Sequence, residues 1–236
     1  MAQRDPGDRR PAPFVAASVG PYGAYLADGS EYDGRYSVGR VDLDAFHRRR
    51  YGVLGASGVD LLACETVPSA FEAEILLEIA ADHPEVPLWL SFACRDGGHL
   101  WDGSDFEEVV RMCDTSPQVV AIGVNCTAPE LVPTLVGRAR VSTDRPVVVY
   151  PNSGERYDAA ERRWRERARP ASGCGRMEDP WLGSMREAIR EGARLVGGCC
   201  RVGPRRIAAL RRAIDSGAWT RSPDDDDDDL QTPPLR

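Results

Sequence analysis

Two stretches, VVAIGVNC (Val119 to Cys126) and RLVGGCC (Arg194 to Cys200), decide how the chain is read. Each is a short, nearly continuous apolar run ending in cysteine. A parallel strand buried on both faces reads this way, whereas a half-exposed antiparallel strand alternates polar with apolar residues. Four more runs share the character: FVAASVG (Phe14 to Gly20), VDLLACE (Val59 to Glu65), PLWLSFAC (Pro87 to Cys94) and PVVVYPN (Pro146 to Asn152). Helical stretches follow them in turn, beginning at Leu43, Ser69, Ser104, Pro129, Asp179 and Pro204. In the second, Phe71, Ile75 and Ile79 recur every fourth residue and predict the buried face, with Glu72, Glu74 and Glu78 outward. Ser69 and Ser104 are N-cap candidates, Pro204 suits a first turn, and Gly192 and Gly217 suit helix ends.

Six strand–helix units in strict alternation imply an α/β fold with a parallel sheet, either open and doubly wound or closed as a barrel. The turn after the first strand, Gly20-Pro21-Tyr22-Gly23, lacks the G-x-G-x-x-G pattern of a dinucleotide-binding open sheet. Polar residues instead gather just past strand after strand: Ser18, Glu65, Asn125, Cys126, Asn152, Cys199 and Cys200. Convergence of many strand ends is the habit of a TIM-barrel active face, although a complete barrel has eight units.

The 236 residues, 42% hydrophobic and 28% charged, suffice for one sizeable core. No apolar run is long enough to span a bilayer, and the opening MAQRDPGDRRPAP carries no signal-peptide pattern, so no membrane partner is expected and the compartment expected is the cytoplasm. All 30 basic residues are arginine. Without lysine, a Schiff-base aldolase, a pyridoxal-phosphate enzyme or a P-loop phosphate binder cannot be built. The net charge of −7 comes mostly from Asp224 to Asp229. Arginine-rich spots such as Arg48 to Arg50 are mixed with acids and read as solvated faces, so no nucleic-acid partner is expected. Residues 1–13 form a polar leading segment, 14–219 the barrel domain, and 220–236 an acidic tail expected to be disordered.

Seven cysteines without an export signal argue for thiol or metal chemistry over a disulfide framework. Adjacent Cα atoms lie about 3.8 Å apart, below the roughly 4.4 Å of a relaxed disulfide, so Cys199 and Cys200 should not bridge each other. Cys126 and the Cys199-Cys200 pair end strands two units apart and can meet on one rim. Three thiolates with an open position suit catalytic zinc. Neighbouring thiols reach one metal only if the chain turns, which Gly197 and Gly198 permit. Free cysteines are also commonly small buried hydrophobes, and spacing alone does not separate the two readings. Asn125, preceding Cys126, is placed to orient it as an outer partner. His47, His83 and His99 are expected to face solvent, which leaves no histidine for acid–base work.

The segments SVGPYGAYLADGSEYDGRY (from Ser18), ACETVPS (from Ala63), IGVNCTAPE (from Ile122), VYPNSGERYD (from Val149) and GARLVGGCCRVGP (from Gly192) closely resemble the homocysteine S-methyltransferases. The resemblance runs from about Phe14 to Ile214 in the family's order. It implies a TIM-type (β/α)8 barrel, here truncated to about six units, with zinc on Cys126, Cys199 and Cys200. It further implies that Glu65 holds the homocysteine amino group and that Ser18, Asn152 and Glu155 line the substrate mouth, although PN-SG is also an ordinary turn sequence. The partners implied are homocysteine and a sulfonium donor, S-methylmethionine or S-adenosylmethionine. Members of the family begin with two further βα units, including a D-G-G-x-x-T-E-L segment whose aspartate helps bind homocysteine, and this sequence has neither. A truncated barrel exposes strand edges, which raises self-association and a non-catalytic zinc-binding fragment as alternatives. A redox dithiol is disfavoured by the strain of a vicinal disulfide.

Overall fold

The computed structural model describes residues 13–158, 163–165, 179–217 and 219. The leading segment through residue 12 and the acidic tail lie outside the described residues. The elements run β1 (Ala16–Val19), α1 (Tyr22–Leu26), α2 (Arg40–Gly55), β2 (Leu61–Val67), α3 (Ala70–Ala81), β3 (Leu88–Phe92), α4 (Phe106–Asp114) and β4 (Val119–Asn125). They continue with α5 (Val132–Arg140), β5 (Val147–Tyr150), β6 (Arg156–Asp158), β7 (Arg163–Arg165), α6 (Pro180–Arg190), β8 (Ala193–Val196) and α7 (Pro204–Asp215).

Six of the strands form one sheet in the order β1-β2-β3-β4-β5-β8, every pair parallel. All six runs read as strands lie in it, in sequence order, each followed by a helix. That is the plan of consecutive units of a TIM-type barrel, with β1 and β8 at the edges and, among the described residues, the sheet not closed. The antiparallel pair β6–β7, between β5 and α6, has no counterpart in the apolar runs because its residues are mostly charged or aromatic.

Strand residues divide cleanly between two faces. Leu62, Cys64, Leu88, Leu90, Phe92, Ile122, Val147 and Val149 face the helices and are buried. On the inner face, register aligns Ser18 with Ala63, Ala63 with Trp89 and Trp89 with Ala121, then Ser91 with Gly123 and Asn125 with Tyr150. Small residues there leave room: a Cβ on Gly123 would run into the Val148 carbonyl across the β4–β5 pair.

The helices correct three readings. Ser69 caps α3 as expected, its Oγ accepting the Glu72 N–H at 3.2 Å, but α4 is capped by Asp105 rather than Ser104. Helix α3 buries Glu72, Ala73, Ile75, Leu76, Ile79 and Ala80, while Phe71 is 42% exposed beneath the Arg40 guanidinium. The buried stripe is thus rotated from the Phe71-Ile75-Ile79 row and takes Glu72 inward. Helix α2 buries Leu43, His47 and Tyr51, one face at four-residue spacing. His47 is therefore not solvent-facing; its Nε2 lies 2.7 Å from Glu72 Oε1. His83 and His99 are partly exposed.

Among the described residues no helix is long and apolar enough to cross a membrane. The β1 flank is uncovered: Phe14 is 53% and Val15 62% exposed, and a groove of about 960 Å³ lined by Tyr25, Phe46, Arg50 and Val53 runs beside it.

Candidate metal centre

Cys126 follows β4 directly, and its backbone is left-handed (φ 50°), a costly conformation for a residue with a Cβ. Neighbouring strands hold it there. Its N–H donates to the Tyr150 carbonyl at 3.2 Å, and its own carbonyl accepts from Asn152 Nδ2 at 3.4 Å. The twist swings the thiol off the strand line toward the end of β8.

After β8 the chain turns as the glycine pair allows. The Gly197 N–H donates to the Val149 carbonyl at 2.9 Å, and a Cβ on Gly198 would overlap the Val202 side chain. The Cys199 N–H reaches the Pro151 carbonyl at 2.8 Å, and the Cys200 carbonyl accepts the Ser153 N–H at 3.0 Å. Arg201, with φ 62°, completes the bend. As a result both thiols point to one side. Cys126 Sγ lies 3.5 Å from Cys200 Sγ, Cys199 Sγ lies 3.9 Å from Cys200 Sγ, and all three sulfurs fall within 4.8 Å of one another.

These separations suit a tetrahedral zinc. Three sulfurs at about 2.3 Å from one ion, at tetrahedral angles, stand roughly 3.8 Å apart. Soft, closely spaced sulfurs without a carboxylate in the cluster also match zinc in chemistry. The charge pattern agrees: hydrogen bonds from the Cys126 and Cys199 thiols hold the Cys200 thiol far below its ordinary range, at about 3. Cys126 is pushed up by its hydrogen bonds to Cys199 and Cys200, and then by burial. Thiols packed this closely oppose the ionisation of more than one of them by like-charge repulsion, and a cation placed among them would relieve it.

The other strand-end residues fall into separate groups. Asn125 is fully buried; its Oδ1 accepts the Thr66 N–H at 2.7 Å and the Ser91 hydroxyl at 2.9 Å, and its Nδ2 donates to Thr66 Oγ1 at 2.7 Å. It therefore ties β4 to the end of β2, where Thr66 is left-handed (φ 61°). Ser18 donates to Glu65 Oε1 at 2.5 Å, so those two meet on the inner face. Asn152 uses both ends of its amide on loop backbone, at the Cys126 carbonyl and the Gly154 N–H. Glu155 lies further out in an ion pair with Arg201, beside Cys200.

Several neighbours went unread in the sequence. Tyr150 OH lies 2.6 Å from Ser91 Oγ and accepts from Trp89 Nε1 at 3.0 Å; burial, then the Glu65 charge, pushes its hydroxyl up. Tyr32 OH stands 3.5 Å from Cys126 Sγ. Glu72 gathers the Tyr22 N–H at 2.7 Å, the Tyr36 hydroxyl at 2.8 Å and His47, pinning the loop after β1 over the rim. Tyr22, Tyr32 and Tyr36 sit inside the quoted segment starting at Ser18, whose density of aromatic residues was the available signal. Nothing local marks Glu72 apart from Glu74 or Glu78.

Comparison with known proteins follows the same lines. The family model described as homocysteine S-methyltransferase matches residues 2–214. Homocysteine S-methyltransferase YbgG of Bacillus subtilis is 44% identical over 155 residues, 66% of this chain and 49% of that protein. The homocysteine S-methyltransferase of Escherichia coli is 49% identical over 151 residues, 64% of this chain and 49% of that one. Among solved structures, the metallated form of the homocysteine methyltransferase MmuM from Escherichia coli superposes with a TM-score of 0.71 at 42% identity, covering 84% of this chain and 60% of that one. The chain thus spans about half the length of the curated relatives it matches.

Proposed function

Because this chain belongs to the homocysteine S-methyltransferase family, we propose that it moves a methyl group from a sulfonium donor to the thiol of homocysteine, giving methionine. The donor is S-methylmethionine or S-adenosylmethionine. Zinc is the metal of this reading, held by Cys126, Cys199 and Cys200. The observation that carries it is the meeting of those three sulfurs within 4.8 Å at the strand ends.

A free thiol with an ordinary value near 8.5 is mostly protonated at pH 7, and reaching its thiolate costs about 2 kcal/mol. Zinc, when bound, supplies the positive charge that removes this cost. The homocysteine sulfur forms a bond to the methyl carbon as the donor's carbon–sulfur bond breaks, and the electron pair stays on the donor sulfur. An anion and a cation become two neutral thioethers, so a water-poor site favours the step and no general acid is needed. In this reading Glu65, oriented by Ser18, takes the homocysteine ammonium. Asn152 holds the Cys126 loop, Glu155 edges the mouth, and Asn125, tied to Thr66 of β2, steadies the end of β4 that carries Cys126. Reduced thiols are required, so a cytoplasmic setting goes with it.

The test measures bound zinc and methionine production side by side for the 236-residue chain and for Cys126→Ser. One zinc per chain with methionine formed, both lost in the substitution, supports the reading. Absence of zinc from the unsubstituted chain refutes it. The unclosed six-stranded sheet favours a second reading, a zinc-binding fragment or interaction subunit without catalysis. Zinc bound with no methionine formed would select that one. Self-association through the β1 and β8 edges belongs to both readings, and sedimentation velocity reads it directly.

A further inference from the structure

We infer that Tyr32 and Trp101 form the wall that receives the sulfonium group of the methyl donor, with Glu31 beside it for the donor's ammonium. The inference rests on the proposed methyl transfer and names the part of the site that would recognise the donor's positive charge.

Tyr32 closes the short turn Ser30–Tyr32 in the loop after β1, and its hydroxyl is 3.5 Å from Cys126 Sγ. Its ring therefore stands beside the metal cluster, where the proposed reaction places the transferred methyl. Trp101, from the loop after β3, meets that ring edge to face, with centroids 6.0 Å apart and planes at 79°. Two loops separated along the chain thus deliver a right-angled aromatic corner to one rim.

Both loops are braced. Glu72 holds Tyr22 and Tyr36 on either side of Tyr32. Gly23 lies so close to the Glu31 backbone that a Cβ could not be accommodated. Gly34, at φ 69°, lets the loop settle against Pro68 and Asp102, and Asp102 in turn accepts the Ala70 N–H at 3.0 Å. The corner is preorganised by contacts that do not involve a ligand.

Two buried polar atoms flank the corner without a hydrogen-bond partner, Glu31 Oε2 and Trp101 Nε1. Buried polar groups are normally paired, and these are one acceptor and one donor. An amino-acid sulfonium carries the complement: an ammonium, a carboxylate and a fixed positive charge. Aromatic faces attract such a charge without offering a nucleophile that could take the methyl. They also release the product, because the charge disappears on transfer.

The experiment is calorimetric titration of the zinc-loaded chain with S-methylmethionine, S-adenosylmethionine and methionine, the last being the neutral thioether of the same amino acid. It uses the unsubstituted chain, Trp101→Leu, Trp101→Phe and Glu31→Gln, with bound zinc and homocysteine affinity measured for each. We expect a sulfonium to bind about ten-fold more tightly than methionine, the size of one desolvated cation–aromatic contact. Trp101→Leu should erase that preference while zinc and homocysteine affinity hold, and Trp101→Phe should keep most of it. Glu31→Gln should weaken sulfonium and methionine alike. A cation preference that survives Trp101→Leu, or a preference absent from the unsubstituted chain, overturns the inference. Failure of methyl transfer itself would appear separately, as no methionine formed despite an intact binding preference.

Discussion

Replacing Glu72 by alanine should be far more damaging than replacing Glu78, although the two lie six positions apart on the same helix and both read as outward in the sequence. Glu72 is fully buried and accepts from His47 Nε2 at 2.7 Å, the Tyr22 N–H at 2.7 Å and the Tyr36 hydroxyl at 2.8 Å. Truncation removes the acceptor from all of them. The fully buried histidine loses its partner outright, at about 1–3 kcal/mol, and the two part-buried donors at about 1 kcal/mol each, since water can partly reach them. The sum is about 3–5 kcal/mol, a large share of the roughly 5–15 kcal/mol that holds an average domain together. Among the described residues Glu78 pairs with the exposed Arg40 alone, and its loss should cost under about 0.5 kcal/mol. Urea unfolding of the two variants reads the difference. With a slope of about 2–3 kcal/mol/M for a chain of this size, Glu72→Ala should lower the midpoint by roughly 1–2.5 M. Glu72→Gln, which keeps one acceptor oxygen, should fall between. If the Glu72→Ala and Glu78→Ala midpoints coincide, the buried network does not hold the loop after β1 and the reasoning fails.

Other expectations follow from the centre and its supports. In the metal-free chain at pH 6, iodoacetamide should label Cys200 ahead of Cys64, Cys94 and Cys113, as read by peptide mass spectrometry. The depressed Cys200 value leaves its thiolate present at every pH above about 3 and lost only as pH falls through it, whereas burial pushes Cys64 up to about 12. Equal labelling would contradict the assignment. Asn125→Ala should cost about 2–3 kcal/mol by chemical unfolding, since three hydrogen bonds to Thr66 and Ser91 go with it. A loss below about 0.5 kcal/mol would show that the β2–β4 tie is not needed. Gly123→Ala should destabilise by about 1–3 kcal/mol, because its Cβ meets backbone rather than a movable side chain. An unchanged unfolding midpoint would mean that β4 and β5 can part without cost.

The six strands were legible because a strand covered on both faces needs apolar residues at every position, a requirement written into consecutive residues. The metal cluster was legible for a related reason. Parallel units in series put all strand ends on one rim, so cysteines at the ends of β4 and β8 become neighbours whatever fills the chain between them. Helix faces were less legible. Helix α3 is rich in apolar residues, so several rows along it could be the buried one, and the choice depends on what α2 and the loop after β1 present to it. Glu72 turns inward to meet donors from Tyr22, Tyr36 and His47, which lie 25 to 50 residues away. No window of sequence around α3 contains them.

What the sequence determined alone was the order of units, the absence of lysine chemistry and the placing of thiols at strand ends, since each depends on local residue type. The tertiary structure decided the rest: the left-handed turn at Cys126, the sulfur separations near 3.5 and 3.9 Å, and the inward carboxylate of Glu72. These depend on hydrogen bonds between segments distant in the chain. Their free energies exist only once the sheet has brought those segments together.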